Sequence, residues 1–155
     1  MIQRIQTIYL LLAVIVMIAL NWLPIAYIGD LEFLTYGIFS TMGDATLSIT
    51  TYPIAVTVIV STILAAIAIF MYKNRMKQVR VVAIAFLLSV IYAGFIFLWI
   101  IDSQATALAQ QNITVSNIIY GTSSYFPIAQ VIFLILAQQA IKKDEKLVRS
   151  SERLR

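Results

Sequence analysis

Three consecutive segments decide the fold: YPIAVTVIVSTILAAIAIFMY (52–72), KNRMKQVR (73–80) and VVAIAFLLSVIYAGFIFLWII (81–101). Each apolar run has 21 residues. At about 1.5 Å per residue, a helix of that length measures about 30 Å, the thickness of the hydrocarbon layer of a bilayer. The stretch therefore predicts two membrane-spanning helices joined by a short basic link.

Two further apolar runs lie towards the ends of the chain, at residues 5–28 and 125–141. The first lacks a small-residue cleavage pattern, so we expect a retained helix and not a signal peptide. The second has Pro127 in its first turn, where proline is tolerated, and ends at Lys142 and Lys143, whose side chains can extend to lipid headgroups. The sequence thus predicts four spans, the last continuing as a helix into the tail.

The charges are segregated along the chain. All eleven Lys and Arg residues lie at Arg4, within 73–80 or within 142–155. In the two other polar segments, 29–51 and 102–124, every charged residue is acidic: Asp30, Glu32, Asp44 and Asp102. Because basic loops stay on the cytoplasmic side of a membrane, both termini are predicted to be cytoplasmic. Residues 1–155 then form one integral membrane domain, with an inner loop at 73–80, a cytoplasmic tail at 142–155 and outer loops at 29–51 and 102–124.

The composition agrees with this class of protein. The chain is 61% hydrophobic and has a mean hydropathy of +0.92, more apolar surface than a soluble domain of this length buries. The net charge of +4 reflects topology, so no nucleic-acid partner is expected. The chain has no Cys and no His, which excludes thiol nucleophiles, imidazole bases and the usual zinc sites. No cofactor is predicted.

The first outer loop has two β-prone segments, 33–39 and 46–51, around a turn that contains Gly43. This pattern favours a hairpin. In the second outer loop, residues 105–111 favour a helix and residues 113–120 a strand. A strand there could join the hairpin in a small sheet above the helices.

Small residues recur at every fourth position on the second and third spans. They are Thr57, Ser61 and Ala65, then Ala85, Ser89 and Ala93. Membrane helices pack where small side chains allow close approach, so we expect these spans to form an antiparallel hairpin through the two ladders. Gln130, deep in the last span, is expected to bond another helix. The predicted fold is an all-α, antiparallel bundle of four transmembrane helices.

No catalytic arrangement is evident. The spans contain no ionisable Asp, Glu, Lys or Arg, and no nucleophile has a recognisable base. We therefore predict a non-enzymatic accessory or assembly subunit that contacts the bilayer and other membrane proteins or further copies of itself. The alternative is a small oligomeric transporter or channel lined by Thr, Ser and Gln side chains.

The tail has the composition of a recognition segment. Leu147 and Leu154, seven residues apart, would share a helix face flanked by Arg149 and Arg153. Such a stripe can bind an inner leaflet or a partner groove. A solvated helix end that only sets topology is an equal alternative.

The two ends, MIQRIQTIYLLLA (1–13) and DEKLVRSSERLR (144–155), together with the long first outer loop, carry a resemblance. The chain resembles an uncharacterised family of small four-pass inner-membrane proteins of Bacteroidota, a domain of unknown function. The resemblance implies a bacterial inner-membrane location and the four-helix plan, and no activity, cofactor or partner. The residues that match the ends of the family are Ile2, Gln3, Arg4, Gln6, Asp144, Glu145, Leu147, Val148, Arg149, Ser150, Arg153, Leu154 and Arg155.

Overall fold

The computed structural model describes residues 3–28, 31–34, 37–42, 45–50, 52–72, 74–100 and 118–153. The described part is mostly helical, with four long helices: α1 (Gln3–Leu20), α2 (Tyr52–Phe70), α3 (Arg75–Phe95) and α4 (Phe126–Arg153). The helices pack in a ring, each against its neighbours in sequence and α1 against α4. Among the described residues, two helices are long and apolar enough to cross a membrane, Arg75–Leu98 and Thr122–Val148. Shorter apolar helices cover Ile5–Leu20 and Ala55–Phe70.

Each helix buries one narrow seam of side chains. On α1, α3 and α4 the buried positions alternate between spacings of three and four residues, as in Gln6, Leu10, Ala13, Met17 and Leu20 of α1. This alternation averages about 3.5 residues, the period of helices that pack side by side at a small crossing angle of roughly 20°. The seams meet in a core of Leu10, Ala13, Ala65, Ala68, Val82, Ala85, Leu134, Ala137 and Ile141.

The first helix ends at Leu20, eight residues before the predicted end of the first span. The side chain of Asn21 donates a hydrogen bond to the Met17 carbonyl oxygen over 2.9 Å. The Asn21 and Trp22 amides bond three residues back, which tightens the last turn. Pro24 then has no N–H to continue the helix. The predicted span of 5–28 is therefore wrong at its end, and Ala26–Ile28 form strand β1.

The basic link between α2 and α3 is shorter than the predicted 73–80. Helix α3 starts at Arg75, so most of the link forms the first turns of that helix. Gln78 and Val82 lie on the buried seam of α3. Their packing stabilises the helical conformation of this part of the link. At the other end of α3, Ile96–Ile100 form a π-helical turn.

The last helix runs without a break from Phe126 to Arg153. It includes most of the tail, as the sequence predicted. Its start is preceded by a short 3-10 turn, Thr122–Tyr125.

The polar segments between α1 and α2 and before α4 form one antiparallel sheet. Its strands are β1 (Ala26–Ile28), β2 (Leu31–Leu34), β3 (Gly37–Met42), β4 (Ala45–Thr50) and β5 (Ile118–Tyr120), in the order β4-β3-β2-β1-β5. The predicted hairpin is present as β3 and β4, with Met42 opposite Ala45. The strand of the second outer loop, β5, pairs with β1, whose residues 26–28 belong to the predicted first span. The predicted helical segment 105–111 lies outside the described residues.

Buried contacts join the end of α1 to the start of α4. The Gly121 amide donates to the Ile25 carbonyl oxygen over 2.7 Å, and the Ser123 hydroxyl donates to the Pro24 carbonyl oxygen. A Cβ on Gly121 would overlap the Pro24 oxygen, so only glycine fits there without a backbone shift. Phe97, after α3, stacks on Tyr120 at a ring-centre distance of 5.8 Å. We call this the sheet end of the molecule, and the opposite end, which holds Arg75 and Lys142, the basic end.

Candidate functional site

A buried polar cluster lies between α2, α3 and α4, formed by Ser61, Ser89 and Gln130. The two hydroxyl oxygens are 2.9 Å apart. Ser89 also lies 2.6 Å from Gln130 Oε1, to which its hydroxyl can donate. Gln130 Nε2 completes the triangle with a longer contact of 3.4 Å to the Ser61 oxygen. All three residues are at most 1% exposed, so the cluster ties three helices together inside the protein.

The backbone carbonyl of Ala85 also serves this cluster. It lies 2.8 Å from the Ser89 oxygen and 3.2 Å from the Ser61 oxygen. The hydroxyls therefore have more acceptors than protons, and the groups are satisfied within one chain. Neutral hydroxyl and amide groups with no base or charge beside them can hold helices together by hydrogen bonds. They provide no evident acid–base chemistry.

The predicted ladder residues are placed unequally. Ser61, Ala65, Ala85 and Ser89 are buried, whereas Thr57 and Ala93 are half-buried. A strict spacing of four residues rotates about 40° further around the helix at each step, so the ends of each ladder leave the seam. Gly94, which follows Ala93, faces open space, since a Cβ there would meet nothing within 4 Å.

At the basic end, an ion pair joins the start of α3 to α4. Arg75 Nη2 lies 3.1 Å from Asp144 Oδ2, and the two side chains are 20% and 12% exposed. The two groups are close enough for an ion pair, but Asp144 Oδ2 has no aligned hydrogen-bond donor among the described residues. The pair is thus held by charge and not by an aligned hydrogen bond.

Beside the ion pair lies a groove of about 480 Å³ between α3 and α4, which we call the basic cleft. The residues that line it are Arg75, Met76, Val79, Lys142, Glu145, Lys146 and Ser150. Three cations face one carboxylate in this lining, and Met76 with Val79 supplies an apolar wall. The arrangement can attract an anion that carries an apolar portion.

Two buried glutamines lie near the same end. Gln78 Nε2 donates to the Ala68 carbonyl oxygen over 2.8 Å, while its Oε1 has no partner among the described residues. Both amide atoms of Gln6 lack a partner within the part of the chain that the structure describes. Buried polar groups are usually hydrogen-bonded, so this end carries unsatisfied polar atoms beneath the surface.

The predicted recognition tail is only partly described. Leu147 is 48% exposed, and Arg149 and Arg153 lie on α4. For these two arginines the structure describes the backbone only, and Leu154 lies outside the described residues. Of the predicted outer acids, Asp30, Asp44 and Asp102 also lie outside them, and Glu32 has only its backbone described.

Sequence reasoning missed the basic cleft, the Arg75–Asp144 pair and the buried Gln6 and Gln78. A signal was present for the cleft, because Lys142 and Lys146 are four residues apart and share a helix face. For Gln6 and Gln78 the sequence gives no such signal, because the seam that buries them is recognised only in the packed helices.

A family model described as a domain of unknown function (DUF4293) matches residues 2–154. No curated protein and no solved structure matches the chain.

Proposed function

We propose that this chain, which belongs to the DUF4293 family, a domain of unknown function, crosses a bacterial inner membrane four times with both termini in the cytoplasm. There it acts without catalysis, through contacts with other membrane proteins, as an accessory or assembly subunit. Different residues support the membrane crossing and the contact surface.

The observation that carries the proposal is the apolar outer face of every long helix. Large aliphatic side chains that point away from the core are about half exposed on all four helices: Ile8 is 55%, Ile63 51%, Leu87 57% and Ile132 51% exposed. A soluble protein rarely exposes contiguous apolar patches of this extent. Lipid is the solvent that suits an apolar surface around the whole ring of helices.

Helix lengths support four crossings. Helices α1, α2 and α3 have 18, 19 and 21 residues, or about 27, 28 and 31 Å at about 1.5 Å per residue. The hydrocarbon layer is about 30 Å thick. Exposed aromatic residues mark both ends of the helices, with Trp22 and Tyr125 at the sheet end and Tyr72 at the basic end. Aromatic residues favour the membrane–water interface.

The orientation follows from charge. The described basic side chains Arg75, Lys77, Arg80, Lys142, Lys143 and Lys146 all belong to the basic end. Since lysine and arginine stay in cytoplasmic loops, this end lies in the cytoplasm and the sheet end lies outside.

The contact surface is the extension of α4 beyond the membrane. This helix has 28 residues, about 42 Å at about 1.5 Å per residue, and so exceeds the hydrocarbon core of about 30 Å by about two turns. The Arg75–Asp144 pair braces the base of the extension against α3. A braced helix that exposes Leu147 among charged residues presents a fixed surface to a partner.

The test removes residues 147–155. Truncation at this point keeps Asp144 and Lys146, so the ion pair and most of the basic cleft remain. Insertion and thermal stability should match those of the full chain, while co-purifying proteins and complementation of a deletion strain are lost. The point variant Leu147→Ala should weaken partner recovery, and Lys143→Ala, an exposed control on the same extension, should not. A truncated protein that complements fully would contradict the proposal.

The transporter or channel remains the alternative prediction. Its conduit would need neutral polar side chains that face a path. The hydroxyl and amide groups of Ser61, Ser89 and Gln130 are bonded to one another inside one chain, which favours the first proposal.

A further inference from the structure

We infer that the basic cleft binds the phosphate headgroup of an anionic phospholipid in the cytoplasmic leaflet. The inference rests on the proposed orientation, which puts the basic end at the inner surface, and it goes beyond the proposed function by naming a ligand. The headgroup lies between Lys142, Lys146 and Arg75, and the upper part of an acyl chain lies along Met76.

The charge of the cleft favours a single anionic group. Arg75 is offset by Asp144, at 3.1 Å, and the lining also holds the carboxylate of Glu145. Lys142 and Lys146 are exposed and line the cleft, one turn apart on α4, so the three cations and two carboxylates leave a net charge of about +1. Because basic pockets between helices at the cytoplasmic side attract anionic headgroups, this remaining positive charge suits a phosphodiester, which carries one negative charge.

The start of α3 adds to this field. Asn74 precedes the helix and makes no side-chain capping bond. The free N–H groups of a first turn and the positive end of the helix dipole favour a phosphate. Arg75 and Met76, the first two residues of α3, are part of the cleft lining.

The apolar wall distinguishes a lipid from a free anion or an acidic peptide. Met76 is 47% exposed and Val79 lies one turn further along the same helix, towards the apolar span. A phospholipid joins its phosphate to apolar chains in that direction, so one lipid contacts both the basic and the apolar part of the cleft. The volume of about 480 Å³ accommodates a headgroup and the first part of a chain.

The experiment measures lipid binding to the purified full chain. Phosphatidylglycerol and phosphatidylcholine with identical acyl chains are titrated into the detergent-solubilised protein, and bound lipid is counted by native mass spectrometry. Phosphatidylglycerol should bind preferentially. Each lysine near an anionic headgroup contributes roughly a fivefold factor, so Lys142→Gln with Lys146→Gln should weaken binding about 25-fold.

The matched control removes the same charge outside the cleft. Lys77→Gln with Lys143→Gln changes two exposed lysines of the basic end that do not line the cleft, and binding should fall less than threefold. An equal loss in both double variants would mean diffuse surface charge and would overturn the inference. So would equal binding of the two lipids, or displacement of phosphatidylglycerol by millimolar glycerol phosphate or by an acidic peptide.

A further variant adds charge and removes no lysine. Met76→Asp places a carboxylate in the cleft and should abolish the preference for phosphatidylglycerol; an unchanged preference would overturn the inference. Leu147→Ala, which does not touch the cleft lining and should weaken partner recovery, should leave lipid binding intact. Lipid binding without partner recovery, or the reverse, therefore shows which of the two proposals fails.

Discussion

Replacing Ser89 by Ala should destabilise the protein more than replacing its partner Gln130 by Leu, because the two changes leave different groups behind. Without the serine hydroxyl, Gln130 Oε1 loses its 2.6 Å contact inside the protein. A buried acceptor without a donor costs about 1–3 kcal/mol. In Gln130→Leu the volume is nearly kept, and the Ser89 hydroxyl can still use the Ala85 carbonyl at 2.8 Å. That variant loses the interhelical hydrogen bonds of Gln130 to Ser89 and, at 3.4 Å, to Ser61, which are worth about 0.6 kcal/mol each on average.

The double variant sharpens the test. With both side chains changed, no orphaned acceptor remains, so Ser89→Ala with Gln130→Leu should cost about as much as Gln130→Leu alone. The coupling free energy then equals the cost of Ser89→Ala, about 1–3 kcal/mol, within the range seen for residues in contact. Unfolding in mixed lipid–detergent micelles by a denaturing detergent, followed by circular dichroism, gives all three free energies. Equal costs for the two single variants, with an additive double variant, would refute the reasoning.

Two further predictions concern close packing. Gly121→Ala should lower the free energy of unfolding by about 1–3 kcal/mol, because its Cβ would overlap the Pro24 carbonyl oxygen; Gly94→Ala, which meets open space on a helix, should be neutral or stabilise by up to about 1 kcal/mol. If both alanine variants melt alike, the contact at Gly121 is misplaced. Ser61→Leu should cost about 1–3 kcal/mol by overpacking the interface with Ser89, and an unchanged melting temperature in detergent would mean that Ser61 faces lipid.

The sequence predicted the helices better than their ends. Apolar length alone located the four helical regions, but apolarity continues past Leu20 into β1 and cannot mark the boundary. The boundary depends on the Asn21 side chain, which bonds the last turn, and on Pro24. The strand was missed because its partner, β5, is about ninety residues away in the chain, and pairing at that distance leaves no local pattern.

The candidate site could be predicted only in part, because it too depends on contacts between segments that are distant in the chain. Small residues pointed to Ser61 and Ser89, yet their contact with Gln130 depends on how three helices are rotated. In a soluble helix the polar face shows that rotation. Here the outward faces are apolar as well, so the seam that buries Gln6 and Gln78 is visible only once the helices are packed. The basic cleft likewise needs α3 and α4 side by side.

The central claim is four crossings with the basic end in the cytoplasm, and accessibility of single cysteines tests it most directly. The chain has no native cysteine, so Asp44→Cys, Asn74→Cys, Asn112→Cys and Ser151→Cys each report one segment. A membrane-impermeant maleimide applied to intact spheroplasts should label the cysteines at positions 44 and 112 only, and all four after lysis. Labelling of Asn74→Cys in intact spheroplasts would contradict the account.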